Sequence, residues 1–308
     1  MASPEVAASP LVSVIIAAFN ARPWVCDAID SVLAQHYTPI ETIVIDDGST
    51  DATGEMLRER YGSAVDYLYQ ANRGLSCARN VGILRARGEY VQLLDADDRL
   101  HVDKLRLQVQ VFTEHPACDV VYSDFEEFAD ADPRTMNPSP AEFQRKSRAG
   151  DVLDGLLTGN FIFCAAPLVR RTALVDTGMF DGSLSACEDY DLWLRLAAGG
   201  AGFVFLDRVL AYYRLRPGSL SSARARQLDR TITVHRRVRR FARTLSWRQR
   251  RAARRYHGAL HAELATVLRA EHREREAVGR VLAAIGCSPL DTWRIVAGVY
   301  RRKPDSGH

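Results

Sequence analysis

Buried strands and amphipathic helices alternate over the first hundred residues, and this alternation limits the possible folds more than any other feature. The apolar run VSVIIAA at 12–18 predicts a strand buried on both faces. The segments that follow keep this order, with helices predicted over about 23–35, 51–61 and 75–85, and strands over 41–46, 66–70 and 90–94. Alternation at this spacing predicts an α/β fold with a mostly parallel, mixed central sheet and helices on both faces.

The later part of the chain continues the mixed pattern and then becomes helical. The predicted elements are a helix over 101–114, a strand over 119–125, a helix over 188–198 and a strand over 203–206. The stretch 129–149 is rich in Pro, Asp and Ser and predicts a mobile loop, and a second loop is predicted over 214–222. From about 223 the sequence is helical and rich in arginine.

The charge distribution also separates the C-terminal part from the rest. The 308 residues carry 41 Lys and Arg against 38 Asp and Glu, a formal net charge of +3. Residues 224–303 hold 21 of the basic and 6 of the acidic side chains. Such asymmetry is typical of a body that carries substrate chemistry and a tail that meets an anionic partner. We expect a domain over 1–222, with halves over about 11–100 and 101–222, and a basic helical C-terminal extension over 223–308.

Targeting and redox features indicate the cytoplasm. No apolar run reaches the roughly 18 to 20 residues that span a bilayer, and the first ten residues lack the layout of a signal peptide. The six cysteines show no C-x-x-C spacing, so a zinc site and a disulfide framework are both poorly supported. We expect a cytoplasmic protein with buried or unreactive thiols.

The most informative local feature is Asp95-Ala96-Asp97-Asp98 at the end of a predicted strand. Ligands of open parallel sheets bind at the carboxyl ends of the strands. Neighbouring carboxylates repel each other and are tolerated when exposed or neutralised by a cation. Mg²⁺ takes oxygen ligands, usually one or two carboxylates plus substrate phosphates. From these residues alone, a cation site and a surface turn that caps the next helix are equally good interpretations.

A second acidic pair, Asp46-Asp47, ends the predicted strand over 41–46 and precedes a helix. A carboxylate in this place can accept hydrogen bonds from a base or a ribose, and Gly48 permits the turn. The alternative is a helix cap supplied by one of residues 49–51. A cap does not explain the two preceding acids.

The end of the first strand excludes two nucleotide-binding motifs. It reads Ala17-Ala18-Phe19-Asn20 in place of G-x-G-x-x-G, which argues against a dinucleotide cofactor. No G-x-x-x-x-G-K-[ST] occurs either, so a P-loop is excluded.

Two further segments could contribute charged groups to a site. Arg73, Gly74 and Arg79 lie around a helix start, where amides, dipole and guanidinium groups favour an anion, although a solvated helix start is the alternative. Glu188 and Asp189 open a later helix, where a general base would need to reach an acceptor hydroxyl. Acids that simply meet the helix dipole are the alternative there.

Taken together, these segments resemble the inverting family-2 glycosyltransferases of the GT-A fold, which transfer a sugar from a nucleotide-sugar donor. The resemblance covers about 11–222. Six motifs appear in the order of the family: VSVIIAAFN, IETIVIDDGSTD, NRGLSCARNVGI, GEYVQLLDADD, EDYDLWLRLA and YYRLRPGSLS.

The resemblance implies roles for individual residues. The nucleotide-sugar site would comprise Ala17, Phe19, Asn20, Asp46, Asp47, Arg73, Gly74, Arg79, Asp95, Ala96 and Arg216. Asp97, with Asp95, would hold Mn²⁺ or Mg²⁺, and Asp189, organised by Glu188, would deprotonate the acceptor hydroxyl. The metal and Arg79 would stabilise the leaving diphosphate, so that a single displacement inverts the sugar. The implied donor is a nucleoside-diphosphate sugar, a UDP-sugar first of all, and the acceptor a glycan or a lipid-linked or other glycoconjugate.

One position departs from the family. Its loop after the last strand often reads Tyr-Arg-x-His, whereas this sequence has Arg216 at the His position. Arginine does not coordinate a cation. We expect Arg216 to share phosphate charge with a metal held by one or two aspartates.

The basic extension leaves its partner open. Residues 224–303 include RRVRRFAR and RQRRAARR, interrupted by aromatic and apolar residues. A basic amphipathic helix on anionic lipid at the cytosolic face of the membrane is one interpretation. Packing on the catalytic domain, or on another copy in a homo-oligomer, is an equal one. Nucleic acid is disfavoured because no recognised binding module is present.

Two other functions remain as alternatives. A non-catalytic protein of this fold could bind a nucleotide sugar or a glycan, and the Arg216 departure keeps that interpretation open. A sugar nucleotidyltransferase is more distant, because the sequence lacks the glycine-rich basic loop after the first strand.

Overall fold

A central mixed sheet lies in the larger part of the protein. The structure is a computed structural model, and it describes residues 9–140, 143, 152–216, 224–241 and 243–287. Nine strands lie within these residues: β1 (Val12–Ala18), β2 (Ile40–Asp46), β3 (Asp66–Tyr69), β4 (Tyr90–Asp95), β5 (Arg99–Leu100), β6 (Val120–Ala129), β7 (Asp132–Pro138), β8 (Leu168–Arg170) and β9 (Phe203–Leu215). The first four predicted strands are confirmed to within one residue at each end.

The strand order places β1 at a switch point of the sheet. The order is β3-β2-β1-β4-β8-β6-β9-β5, with β7 paired to β6. β1 runs parallel to β2 on one side and to β4 on the other. β8 is antiparallel to β4 and β6, and β6 and β9 are again parallel. The predicted mostly parallel, mixed sheet is confirmed, and its ligand-binding edge is expected where β1, β2 and β4 end.

Helices flank the sheet or follow it in the chain. They are α1 (Val25–Leu33), α2 (Thr53–Tyr61), α3 (Leu75–Arg85), α4 (Lys104–Glu114), α5 (Val152–Leu156), α6 (Arg171–Asp176), α7 (Glu188–Ala198), α8 (Arg224–Arg236), α9 (Trp247–Ala270) and α10 (Glu274–Cys287). The predicted bounds of α3 and α7 are confirmed at both ends. The arginine-rich segment after 223 is helical as predicted.

The stretch 129–149, predicted to be a mobile loop, contains a strand instead. β7 pairs antiparallel with β6, from Glu126 opposite Pro138 to Ala129 opposite Asp132. All seven residues of β7 are exposed, so its polar sequence is that of a solvent-facing edge strand. Residues 141–142 and 144–149 lie outside the described part of the chain.

The second predicted loop, over 214–222, also begins later than expected. β9 extends to Leu215, because its pairing with β6 continues as far as Ala129 opposite Leu215. The remaining residues of that loop from 217 onward lie outside the described part.

The core of the sheet is packed closely at β1. Each of its seven residues is buried, as the apolar run predicts for a strand covered on both faces. Gly82 of α3 lies directly against this strand, because a Cβ built on Gly82 would stand 2.3 Å from Cγ2 of Ile15. The absent side chain therefore sets how near α3 approaches the sheet.

Two units are present in the chain. One comprises Met1–Ala149, Phe161–Ser185 and Arg195–Arg216, and the other comprises Gly150–Asn160, Ala186–Leu194 and Pro217–His308. The first contains the sheet. We expected a single boundary at 222. The second unit instead includes two earlier segments, Gly150–Asn160 and Ala186–Leu194, in addition to the C-terminal helices.

The second unit has an apolar core of its own. Its helices α8, α9 and α10 share a cluster of buried residues: Leu228, Ile232, Leu260, Leu264, Ala265, Leu268, Ala277 and Val281. At the start of α9, Ser246 and Gln249 form a reciprocal capping box. No helix among the described residues has the length and apolar character needed to cross a bilayer.

Candidate active site

Three strand ends of the first unit meet at one edge of the sheet. Ala18 of β1 is paired with Asp46 of β2, and Ala17 is paired with Asp95 of β4. Ala17 is buried, whereas the ring of Phe19 is 52% exposed just beyond β1. The structure therefore brings together the predicted nucleotide-sugar residues of these strand ends, with an aromatic ring open to solvent beside them.

The carboxylate of Asp47 is buried and holds the loop in front of α3. Its Oδ1 accepts hydrogen bonds from Nε2 of Gln70 at 2.7 Å and from the backbone N–H of Arg73 at 2.9 Å. Its Oδ2 accepts one from the backbone N–H of Gly74 at 2.8 Å. Asp47 thus fixes the backbone from which the exposed side chain of Arg73 extends.

Asp46 and Asn20 connect the ends of β1 and β2. Asp46 is buried and accepts hydrogen bonds from the hydroxyl of Tyr67 at 2.7 Å and from the backbone N–H of Ser49 at 2.8 Å. Asn20 accepts one from the backbone N–H of Thr50 at 2.8 Å, and its own N–H donates to the Ser49 hydroxyl at 2.9 Å. Both side chains support the loops of this edge.

The turn after β2 requires glycine, and a nearby aspartate accepts a hydrogen bond from the first residue of the next helix. Gly48 has a φ of +86°, and a Cβ there would lie 2.8 Å from the backbone nitrogen of Asn72. Asp51 accepts a hydrogen bond from the backbone N–H of Thr53 at 3.1 Å. The N-cap of α2 is Ala52, with no side-chain cap hydrogen bond, so the interpretation of residues 49–51 as the helix cap is wrong.

Arg79 is a buried cation at this edge. Its side chain is 2% exposed, and its Nη2 donates a hydrogen bond to Oδ1 of Asp95 at 2.5 Å. The guanidinium carbon also lies 5.2 Å from the centroid of the Phe180 ring. Asp95, with 28% of its side chain exposed, faces solvent on the remaining side.

Asp97 is paired with the arginine that departs from the family pattern. Nε of Arg216 donates to Oδ2 of Asp97 at 2.6 Å, and the guanidinium carbon lies 4.4 Å from the ring of Trp24. The side chains of Arg216 and Asp97 are 31% and 21% exposed. Ala96, between the two aspartates, is buried in a turn closed by a hydrogen bond from the Asp98 N–H to the Asp95 carbonyl.

A buried arginine that the sequence did not predict connects the carboxylate turn to α1 and to the turn after β6. Arg214 is 3% exposed, and its Nε donates to the carbonyl of Asp97 at 2.7 Å. Its Nη1 and Nη2 donate to Asp130 and Asp27 at 2.8 and 2.7 Å, and its backbone N–H donates to Asp98 at 2.9 Å. The only signal in the sequence was the Tyr-Arg of the last family motif.

Burial and mutual repulsion perturb two of the carboxylates. Burial, together with the charge of Asp95, raises the pKa of Asp97, while the guanidinium of Arg216 acts in the opposite direction. Asp98 is fully buried, and burial and then the charges of Asp97 and Asp95 raise its pKa well above the ordinary value. Its Oδ2 has no hydrogen-bond partner among the described residues. A buried Asp98 also rules out a plain surface turn.

The two carboxylates that face solvent fit a hard cation only when phosphate is present. Asp95 and Asp97 each give one oxygen to an arginine and retain the other. Their oxygens are the ligands that Mg²⁺ and Mn²⁺ prefer. The charges of Arg79 and Arg216 already balance the two carboxylates, so an entering dication needs further anionic ligands of the kind that a diphosphate provides.

Glu188 and Asp189 lie in the second unit, in the first turn of α7. Glu188 is buried, and Asp189 is partly buried. Oδ1 of Asp189 accepts a hydrogen bond from the backbone N–H of Tyr190 at 2.7 Å, and Oδ2 accepts one from Nδ2 of Asn160 at 3.3 Å. Asp191 is buried and pairs with Nη1 of Arg237 at 3.3 Å. These contacts orient the acidic turn.

Comparisons with protein families and with curated relatives both identify glycosyltransferases. Residues 13–175 match the family model described as glycosyl transferase family 2. An uncharacterized glycosyltransferase of Rickettsia typhi is 32% identical over 72% of this chain and 69% of its own length. A Bacillus subtilis glycosyltransferase named for teichuronic acid biosynthesis is 30% identical over 75% of this chain and 90% of its own. An Escherichia coli UDP-Glc:α-D-GlcNAc-diphosphoundecaprenol β-1,3-glucosyltransferase is 29% identical over 73% and 85%.

Solved structures share the fold. S. aureus TarS 1–349 in complex with UDP-GlcNAc matches with a TM-score of 0.62 and 18% identity, covering 94% of this chain and 91% of that one. The mannosyltransferase PcManGT from Pyrobaculum calidifontis, in complex with GDP-Man and Mn²⁺, matches with a TM-score of 0.64 and 18% identity, covering 98% and 84%. The expected GT-A fold with C-terminal helices is confirmed.

Proposed function

The chain belongs to glycosyl transferase family 2, and we propose that it transfers a sugar from a nucleoside-diphosphate donor to an acceptor hydroxyl with inversion at the anomeric carbon. A UDP-sugar is the first donor to test, since relatives of this chain are named for or crystallised with UDP-sugars. Membership of the family makes the chain a glycosyltransferase rather than a nucleotidyltransferase or a non-catalytic binding protein.

The observation that carries the proposal is the pairing of two partly exposed carboxylates with two arginines at the end of β4. Arg79 contacts Asp95 and Arg216 contacts Asp97. Breaking the glycosidic bond of the donor leaves a negatively charged diphosphate. Fixed cations at the place where that charge develops stabilise the transition state more than the ground state.

A divalent cation is part of the proposed chemistry. Asp97, with Asp95, would hold Mn²⁺ or Mg²⁺, and the bound ion would supply positive charge to the departing diphosphate. The Mn²⁺ in the mannosyltransferase complex supports this choice of cofactor. Arg216 shares the phosphate charge from the position where the family often has histidine.

The nucleoside would lie against the edge formed by β1 and β2. The exposed ring of Phe19 provides an apolar contact for a base beside Ala17. Asp47 orders the loop by accepting hydrogen bonds from the backbone N–H groups of Arg73 and Gly74, and the exposed guanidinium of Arg73 suits the ribose and phosphates.

The acceptor hydroxyl requires a base, and the resemblance assigns this role to Asp189. Its hydrogen bonds from Asn160 and from the Tyr190 backbone orient the carboxylate. Glu188 organises the same helix turn. Removal of the hydroxyl proton as the glycosidic bond breaks gives a single displacement with inversion.

For the acceptor, we propose a glycan or a lipid-linked glycan reached at the cytosolic face of a membrane. The E. coli relative is named for a diphosphoundecaprenol-linked acceptor, and the B. subtilis relative for an envelope polymer. The arginine-rich helices after 223 would hold the protein peripherally on anionic lipid.

The donor and the metal are tested together by a panel of UDP-, GDP- and dTDP-sugars with and without Mn²⁺ or Mg²⁺. Binding is measured by thermal shift, because a ligand that binds only the native state raises its stability. Donor hydrolysis and transfer to a lipid-linked acceptor are measured by nucleotide release. We expect one nucleotide family to stabilise the protein and to be consumed in a metal-dependent way.

Asp97→Asn is the diagnostic variant and Asp103→Asn its control, since Asp103 is a surface aspartate of the same unit. The carboxylate of Asp97 is proposed to contact the metal, so the variant should lose at least about 100-fold in transfer, which corresponds to roughly 2.7 kcal/mol. Equal rates in the two variants, or no nucleotide response in the native protein, would contradict the proposal.

A further inference from the structure

A group of histidines and a cysteine lies in the C-terminal helices, separate in sequence and chemistry from the aspartates. His257 and His261 are four residues apart on α9, so both imidazoles lie on one face of that helix. Cys287 is the last residue of α10. One potential ligand atom from each of the three lies within 4.8 Å of the other two, and no other such group of His, Cys, Asp or Glu occurs within the described residues.

One imidazole nitrogen of this group of residues is buried without a hydrogen-bond partner among the described residues. His261 is 8% exposed, and its Nδ1 has no partner among the described residues. Buried polar atoms are nearly always satisfied, so an unpaired one requires an explanation. A metal ion would use the lone pair that Nδ1 carries in one tautomer of the neutral ring.

A neighbouring histidine, His235, fixes the hydrogen-bonding state of the His257 ring. Nε2 of His235 lies 3.0 Å from the carbonyl oxygen of Leu157, so this nitrogen must carry hydrogen and donate. In the neutral ring the proton is then on Nε2, and Nδ1 is an acceptor. Nδ1 of His257, 3.3 Å away, therefore donates to it.

This chain of hydrogen bonds leaves the lone pair of His257 on Nε2. A neutral imidazole that donates through one nitrogen and ligates through the other is the usual arrangement of a histidine metal ligand.

We propose that His257, His261 and Cys287 bind a zinc ion, with His235 as a positioning residue that fixes the tautomer of His257. Two imidazoles and a thiolate form a borderline-soft set that suits Zn²⁺, with water in the fourth tetrahedral position. Such a ligand set differs from the oxygen ligands of Asp95 and Asp97. The absence of C-x-x-C spacing, which argued against zinc in the sequence, does not exclude a site assembled from two helices.

The charges around the cluster are compatible with this ion. Arg239 lies near both His257 and Cys287, Arg236 lies near both histidines, and Arg280 and Asp229 lie near His261. The positive charge of Arg239 opposes a dication, and burial raises the pKa of the Cys287 thiol, with Arg239 acting in the opposite direction. Binding releases the thiol proton to solvent and forms a Zn–S bond, so the site gains a single net positive charge.

The ion would link α9 to α10 at the end of their shared apolar contact. Leu264 and Leu268 of α9 pack with Ala277 and Val281 of α10. A metal bond at Cys287 would then tie the last turn of α10 to the middle of α9. We expect Zn²⁺ to raise the melting temperature of the full chain.

Cobalt substitution is the direct test. The full chain is reduced, stripped with a chelator and titrated with Co²⁺. We expect an ultraviolet thiolate-to-cobalt charge-transfer band and the visible ligand-field bands of tetrahedral Co²⁺, all abolished by one equivalent of Zn²⁺. The aspartate site contains no sulfur, so it does not contribute the charge-transfer band.

Variants separate ligation from folding. Cys287→Ser should abolish the charge-transfer band and weaken Zn²⁺ at least tenfold, whereas Cys26→Ser, at another half-buried cysteine, should change neither. Cys287→His should keep tight Zn²⁺ binding without the band, which a disrupted helix would not allow. His261→Ala should weaken Zn²⁺ as Cys287→Ser does.

The role of His235 has its own readout. His235→Ala should weaken Zn²⁺ by roughly tenfold while retaining the band, and His235→Gln should restore affinity, because an amide can both donate to Leu157 and accept from His257. The proposal is overturned if the native chain shows no charge-transfer band, or if native and Cys287→Ser proteins bind Zn²⁺ equally.

Discussion

Replacement of Arg216 by alanine separates the two kinds of positive charge that the proposed reaction requires. Arg216 donates to Asp97 at 2.6 Å, so in the absence of donor it occupies one oxygen of the proposed metal ligand. The same guanidinium is proposed to contact the donor diphosphate. Its removal should therefore improve the binding of a divalent cation alone and impair the use of the donor.

The magnitude follows from the geometry and exposure of the pair. Two unit charges about 4 Å apart interact by roughly 4 kcal/mol at an effective dielectric of 20, and by about 1 kcal/mol in water. The side chains of Arg216 and Asp97 are 31% and 21% exposed, which places the pair between these limits. We take about 1.4 kcal/mol, a tenfold effect, as the expected change.

The assay has two parts, and each has a defined outcome. Binding of Mn²⁺ without donor, followed by electron paramagnetic resonance, should become about tenfold tighter in Arg216→Ala. Steady-state kinetics at saturating Mn²⁺ should show a donor KM raised at least tenfold. Arg216→Lys, which keeps the charge, should lie between, and Arg106→Ala, which removes an exposed arginine from an ion pair of the same unit, should change neither value.

The reasoning is refuted if Mn²⁺ affinity and donor KM are both unchanged in Arg216→Ala. Weaker Mn²⁺ binding in the variant would refute the competition between arginine and metal in particular. A comparison of melting temperatures for all four proteins excludes a general loss of structure.

The remaining predictions concern the base, the packing, the pH dependence and the membrane. Asp189→Asn should reduce kcat at least about 100-fold with little change in donor KM, because only proton removal is lost; an active variant would exclude the base assignment. Gly82→Ala should cost about 1–3 kcal/mol of unfolding free energy in urea titrations, since the new Cβ meets Ile15 at 2.3 Å. Burial lowers the folded-state pKa of His235 from 6.5 to about 4, so in chelator the unfolded state binds its proton first as pH falls. The contribution of His235 to stability should be full above pH 6.5 and decline by about 3 kcal/mol towards pH 4. His235→Gln should remove this share of the decline and leave the share of His261, whose pKa is also lowered to about 4. Co-sedimentation with anionic but not neutral liposomes, weakened by salt, is expected for the arginine-rich helices; equal recovery with both would leave packing as their role.

The local part of the structure followed directly from the sequence. Strand β1 and helices α3 and α7 have the predicted bounds, because runs and periods of apolar residues are properties of a few consecutive positions. Polar edge strands cannot be predicted from such apolar patterns. β7 carries no apolar alternation, and it is a strand only because β6 offers it backbone hydrogen bonds.

The candidate site was predictable in its residues and less so in its contacts. The family resemblance places Asp47 at the nucleotide-sugar site, which stays a prediction, and the structure adds that its carboxylate orders the loop of Arg73 and Gly74. The burial of Asp98 could not be predicted from the sequence either. It depends on Arg214, which is 116 positions away in the chain.

By itself, the sequence determined the α/β order of elements, the acidic end of β4 and the membership of a glycosyltransferase family. Each of these can be predicted from the residue types and their spacing within short segments of the chain. The tertiary structure alone decided that Arg216 meets Asp97 and that His257, His261 and Cys287 converge. These side-chain contacts depend on how β9 pairs with its neighbours and how α9 packs on α10. Packing of this kind is set by the summed burial of many apolar side chains and by no single motif.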